Sequence, residues 1–198
     1  LWYRQSADKW TEALPIGNGR IGAMMFSGVK DERVALNEDT LWSGYPHSKN
    51  NPDAHKYYAE AQRLAAEGRL KEAQTLIEDH MEGEFSECYL PMGDMYIQHD
   101  IEGDVQNYTR LLDMRSGLNI CEFDAGDAHF KRTSFISYPD QVMVMFIESS
   151  KPGSVNFSAQ FESQLRSDII AEGSAICADL RAPSCAKPVY VDEKDAVT

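Results

Sequence analysis

The sequence predicts a mainly β protein, a large antiparallel β-sandwich carrying a helical-hairpin insertion at about residues 51–82. Three observations carry this reading. Short apolar stretches closed by Gly, Asn or Pro recur on both sides of the middle of the chain. One block between them switches to helical spacing, and the later strand-like segments follow one another too closely for helical crossovers.

In chain order, Pro15 disqualifies the stretch before Gly17 as a central strand, because proline has no N–H to give a ladder. Segments 23–26 and 33–36 read as strands. Asn51 is placed as an N-cap with Pro52 at the first helical position; Tyr57, Ala61, Leu64 and Ala65 then recur at helical spacing until Gly68. Leu70, Ala73, Leu76, Ile77 and Met81 line one face of a second helix that ends at Gly83. Only one such hairpin occurs, whereas a helical solenoid needs about three or more repeats.

Beyond Cys88 the strands are 95–99, 107–115, 118–123, 129–138, 142–148, 155–161 and 169–180, separated by turn residues such as Glu102-Gly103-Asp104, Arg115-Ser116-Gly117 and Lys151-Pro152-Gly153. The run Val142 to Ile147 is apolar on both faces and is expected in the middle of a sheet, while its neighbours alternate and show one face to water.

The balance of 19 Lys and Arg against 32 Asp and Glu gives a net charge of −13 over 198 residues, which opposes a nucleic-acid partner. No apolar run approaches the roughly 18 residues of a membrane span. The compartment expected is secreted or periplasmic in preference to cytoplasmic. Cys88, Cys121, Cys177 and Cys185 include no C-x-x-C pair, and both disulfides and buried free thiols stay open. The histidines form no ligand pair, so neither a metal site nor a cofactor is expected. The acidic group Glu78, Asp79, Glu82, Glu84 and Glu87 lacks the spacing of a calcium loop and reads as a solvated helix end.

Gly17-Asn18-Gly19-Arg20-Ile21-Gly22 spells G-x-G-x-x-G, the dinucleotide fingerprint. That fingerprint needs a hydrophobic strand before it and a helix after it. Leu14-Pro15-Ile16 is a poor central strand and Ala23 to Gly28 is too short for the helix, so a loop joining two strands explains the glycines.

The stretches WTEALPIGNGRIGAMMFSGV, LNEDTLWSG, YLPMGDMYI, YTRLLDM and SYPDQVMV occur in this order. The series resembles the N-terminal β-sandwich domain of glycoside hydrolase family 95, the α-L-fucosidase type, from Leu1 to about Pro183. The resemblance implies a parent protein in which this sandwich is followed by a helical linker, a catalytic (α/α) barrel and a C-terminal β-domain. The parent reaction it implies is inverting hydrolysis of terminal α-L-fucosyl or α-L-galactosyl linkages. Its general acid and water-positioning residues belong to the barrel, so no catalytic residue is expected here and the chain alone is expected to be inactive.

The residues agree, since an inverting pair of carboxyl groups must face each other across a sugar. Glu38 and Asp39 are sequence neighbours, and neighbours on an extended segment point to opposite faces. Asn18, Arg20, Asn37, Glu38, Asp39 and Trp42 are instead expected on loops at one end of the sandwich, where planar polar groups and an aromatic ring would wall the barrel's sugar cleft. Packing against the barrel, or simply holding the loops, are the other two roles open to them. The expected partners are the catalytic barrel and fucosylated glycans. A free-standing carbohydrate-binding β-sandwich module is the alternative.

The resemblance places Leu180 to Ser184 well inside the domain, and Cys185-Ala186-Lys187-Pro188 replaces a His-containing stretch of the family. Residues 1–198 are therefore expected to form a sandwich lacking some C-terminal strands, and as a fragment to be marginally stable or self-associating.

Overall fold

The computed structural model describes residues 1–187; Pro188 and the rest of the last eleven residues lie outside them. The described chain forms two compact units.

The first unit, 1–41 with 89–182, is the sandwich. One sheet has the order β1 (Trp2–Tyr3), β6 (Val105–Asp113), β7 (Leu118–Ala125), β8 (Ala128–Ser137), β9 (Val142–Ser149). The other has the order β10 (Phe157–Glu162), β5 (Gly93–His99), β4 (Asp31–Glu38), β3 (Ile21–Met25), β2 (Leu14–Gly17). Every pairing is antiparallel. Leu14, Ile16, Met25 and Val34 of one sheet meet Leu112, Ile136, Met143 and Met145 of the other. A second apolar cluster gathers Ile101, Phe123, Ala125 and Phe130.

Pro15 sits on the edge strand β2, the place in a sheet where its missing N–H costs no ladder bond. Two expectations about the strands are corrected. Segment 169–180 is a hairpin of β11 (Arg166–Glu172) and β12 (Ala175–Arg181), because Gly173 at φ +61° turns the chain between them. The run 142–147 lies on β9 at the edge of its sheet among the described residues: Met143 and Met145 face the core, whereas Val142 and Phe146 are exposed. Apolar residues on both faces ask for cover, but chain connectivity decides where a strand stands.

Between the two apolar clusters runs a polar belt. Arg110, Cys121 and Arg132 are cross-strand neighbours on β6, β7 and β8, and all three are buried. Arg132 Nη1 lies 3.0 Å from Glu32 Oε2 on β4 and 3.3 Å from His99 Nε2. Burial, reinforced by the Arg132 charge, holds the His99 imidazole down to about 4. An unfolded histidine protonates near 6.5, so between these values only the unfolded state takes the proton. Stability is thus full above pH 6.5 and falls by about 3 kcal/mol as the pH drops to 4. His99→Gln should flatten that part of a plot of urea midpoint against pH; a plot that keeps its slope would assign the acid sensitivity elsewhere.

The second unit, 42–88 with 183–187, holds the helical insertion. Here α1 (Tyr58–Ala66) and α2 (Leu70–His80) are joined at Gly68, whose φ of +76° is left-handed. Ala61, Leu64 and Ala73 are buried as their spacing predicts, but Leu70 and Ile77 are exposed. Asn51 does not cap α1, because a short 3-10 turn, Ala54–Lys56, precedes that helix. Its Oδ1 accepts the Asp53 N–H, and its Nδ2 donates to the His80 and Glu82 carbonyls at the end of α2. Glu87 is no solvated helix end: it pairs with Lys49 at 2.5 Å and accepts from Ser43 Oγ, and these two bonds hold its carboxyl below the usual range. All four cysteines carry free thiols.

Candidate functional site

The G-x-G-x-x-G segment is the hairpin between β2 and β3. Gly17 pairs with Gly22, and Gly19 takes the left-handed conformation at φ +93°. Asn18 organises the turn: its N–H donates to Ile21 O, and its Oδ1 accepts the N–H groups of Arg20 and Ile21 at 3.0 and 2.8 Å. Its Nδ2 donates to Ser137 O at 2.9 Å, tying the hairpin to the β8–β9 turn in the opposite sheet.

The β3–β4 register brings the far end of β4 alongside. Ile21 lies opposite Glu38, and the Asp39 N–H donates to Arg20 O. Arg20 Nε reaches Glu38 Oε1 at 2.9 Å, while Glu38 Oε2 accepts from Thr40 Oγ1 at 2.6 Å and from Thr40 N–H at 2.8 Å. These bonds, the Thr40 hydroxyl first and Arg20 after it, hold the Glu38 carboxyl below the usual carboxylate range. A carboxylate so engaged is a poor proton donor at neutral pH, which argues against Glu38 as a general acid. The Arg20 side chain stays 55% exposed.

One end of the sandwich therefore gathers Asn18, Arg20, Glu38 and Asp39. Asn37 alternates to the other face of β4 and lines a cavity on the outer side of that sheet. Trp42 is 48% exposed and belongs to the second unit. Sequence reasoning missed Thr40 and Ser137, which brace Glu38 and Asn18. Thr40 follows Glu38 closely enough to be a foreseeable turn partner; Ser137 is 119 residues from Asn18 and gives no local signal.

Among the described residues no group of three or more His, Cys, Asp or Glu could hold a metal ion, and no helix is long and apolar enough to cross a membrane.

The family described as "Glycosyl hydrolase family 65, N-terminal domain" matches residues 1–197. Among curated proteins, the chain is 38% identical over 159 residues to "Alpha-L-fucosidase 2" of Arabidopsis thaliana, covering 79% of this chain and 19% of that protein. It is 30% identical over 147 residues to "Probable alpha-fucosidase A" of Aspergillus niger, covering 71% and 18%, and 26% identical over 156 residues to the protein of the same name in Aspergillus oryzae, covering 76% and 22%. The chain spans about a fifth of the length of these relatives. The glycine hairpin and the LNEDTLWSG stretch both stand within residues 1–197, and the chain belongs to this glycosyl hydrolase N-terminal domain family.

Proposed function

We propose that this chain is the non-catalytic N-terminal domain of an α-L-fucosidase-like glycoside hydrolase, that it packs on a catalytic (α/α) barrel, and that its loop end walls the sugar cleft. The proposed parent reaction is inverting hydrolysis of terminal α-L-fucosyl or related α-L-galactosyl linkages. The observation that carries this reading is the Arg20–Glu38 pair braced by Asn18 and Thr40: a guanidinium more than half exposed, aimed by a carboxylate that is fully engaged. Such a group donates to sugar hydroxyls without taking part in proton transfer. The names of the α-fucosidase relatives support the substrate class.

The test is steady-state hydrolysis of a chromogenic α-L-fucoside by the parent enzyme. Arg20→Ala should raise KM by about tenfold, the loss of one charge-assisted hydrogen bond, with kcat changed much less. If Arg20→Ala keeps wild-type KM and kcat, the loop end does not touch substrate. The 198-residue chain should release no product by itself; turnover by it would make Glu38 and Asp39 catalytic and overturn the assignment.

A further inference from the structure

The outer face of the sheet that contains β4, β5 and β10 carries a regular array. Arg33, Tyr96 and Gln160 form one cross-strand row, flanked by Asp31, Gln98 and Ser158 on one side and Ala35, Asp94 and Glu162 on the other. Alternation turns this face away from the core, which takes Val34 and Ile97 from the same strands. Tyr96 is the shared wall of two depressions. One, of about 490 Å³, is bounded by Trp10, Arg33, Asn37, Asp94 and Glu162 as well; the other, of about 260 Å³, continues past Asp31, Gln98 and Gln160. The two depressions meet at Tyr96 and together border β4 from Asp31 to Asn37, roughly 20 Å at strand rise, the span of several linked sugars.

The lining is fixed before any ligand arrives. Arg33 Nη2 donates to Asp94 Oδ2 at 2.8 Å, and its guanidinium lies 4.7 Å over the Phe26 ring. Trp10 starts a one-turn 3-10 helix, Trp10–Glu12, whose Glu12 carboxylate accepts the Asp8 N–H at 3.0 Å and whose Glu12 carbonyl accepts from Arg110. Trp10 is nevertheless 55% exposed. An exposed indole on a braced turn, a phenol at the centre and amides and carboxylates at strand spacing suit one chemistry. The rings cover the C–H faces of pyranoses, and the planar groups take their vicinal hydroxyls. Charge narrows it further: Asp31, Asp94 and Glu162 outnumber Arg33, which Asp94 already engages, so an acidic glycan is repelled.

We infer that this groove is a second carbohydrate site, distinct from the loop end, that takes a neutral oligosaccharide laid along the strands with Tyr96 beneath it and Trp10 at its side. It holds the glycan chain rather than the sugar to be released. It is therefore independent of whether Arg20 reaches the parent enzyme's cleft.

The experiment is a titration of the 198-residue chain, followed by tryptophan fluorescence and by calorimetry, with lacto-N-tetraose, 2′-fucosyllactose and tetragalacturonate as probes. Lacto-N-tetraose should bind saturably and tetragalacturonate should not. Tyr96→Ala should weaken binding at least tenfold, and Arg20→Ala should leave it unchanged. Because Tyr96 is half-buried, Gln160→Ala and Glu162→Gln on the exposed strand β10 provide independent variants; each should weaken binding severalfold without moving the unfolding midpoint. Three results would overturn the inference: no saturable binding of either neutral probe, equal binding of tetragalacturonate, or an affinity indifferent to Tyr96→Ala, Gln160→Ala and Glu162→Gln. Loss of binding with Arg20→Ala alone would assign the sugar to the loop end instead.

Discussion

Arg132→Met is expected to lower the stability of the sandwich by about 3–5 kcal/mol, the usual cost of breaking a buried ion pair from one side. The Arg132 and Glu32 side chains are only 4% and 2% exposed. Arg132 Nη2 also donates to Gly28 O and reaches the Cys121 sulfur at 3.5 Å, and Glu32 Oε1 accepts the Ser27 N–H at 2.9 Å. Methionine preserves most of the volume and removes the charge, leaving the Glu32 carboxylate in the core with its main counter-charge gone. Burial already pushes the Glu32 carboxyl up against the pull of Arg132, so the variant should take up a proton there. Urea unfolding at pH 7 should show the loss as a lower midpoint with little change in slope. Glu32→Leu combined with Arg132→Met should recover much of it, since an apolar pair leaves no orphaned charge. A single variant within about 1 kcal/mol of the wild type would mean that the pair is not what ties the two sheets together.

Arg110→Ala should cost about 2–4 kcal/mol through two lost charge-assisted hydrogen bonds, and the damage should be local. Arg110 Nε donates to Gln5 O and its Nη1 to Glu12 O, both at 2.8 Å, and the Tyr3 ring lies 4.6 Å from its guanidinium carbon. Strand β1 is only two residues long, so the N-terminal segment depends on this one side chain more than on its ladder. Hydrogen exchange within residues 1–13 should accelerate in Arg110→Ala while β7 and β8 stay protected. Arg110→Lys should not rescue it, because an ammonium cannot span the two carbonyls as a planar fork does. Uniform acceleration across the whole unit would show instead that Arg110 supports the entire core.

Periodicity made most of this fold legible. Cys121, Phe123 and Ala125 alternate with Glu122 and Asp124 and are buried on one face of β7, whereas at its start the polar Asn119 is buried and Leu118 and Ile120 stand on the other face. Gly68 and Gly173 mark real turns, although the second was hidden inside an apolar stretch read as one strand. What periodicity hides is the polar belt, because Glu32, Arg110 and Arg132 are residue types ordinarily found at the surface. Their burial follows from partners on other strands, which only the pairing register brings together. The same holds at the loop end: the glycine hairpin was readable from its own residues, and the Arg20–Glu38 pairing depends on the β3–β4 register. Asn37 was grouped with Glu38 by proximity in sequence and parted from it by the strand's pleat.

The bond from Asn18 to the Ser137 carbonyl bears on affinity without touching a ligand. A free hairpin tip samples many backbone states, and ordering it on contact would cost roughly 1–2 kcal/mol per residue. Here one amide fixes the tip from within through Arg20 and Ile21 and from without through the neighbouring turn, so that entropy is already lost when the chain folds. A surface that docks on this end meets groups in their final positions, and complementarity there becomes a matter of shape rather than of adjustment.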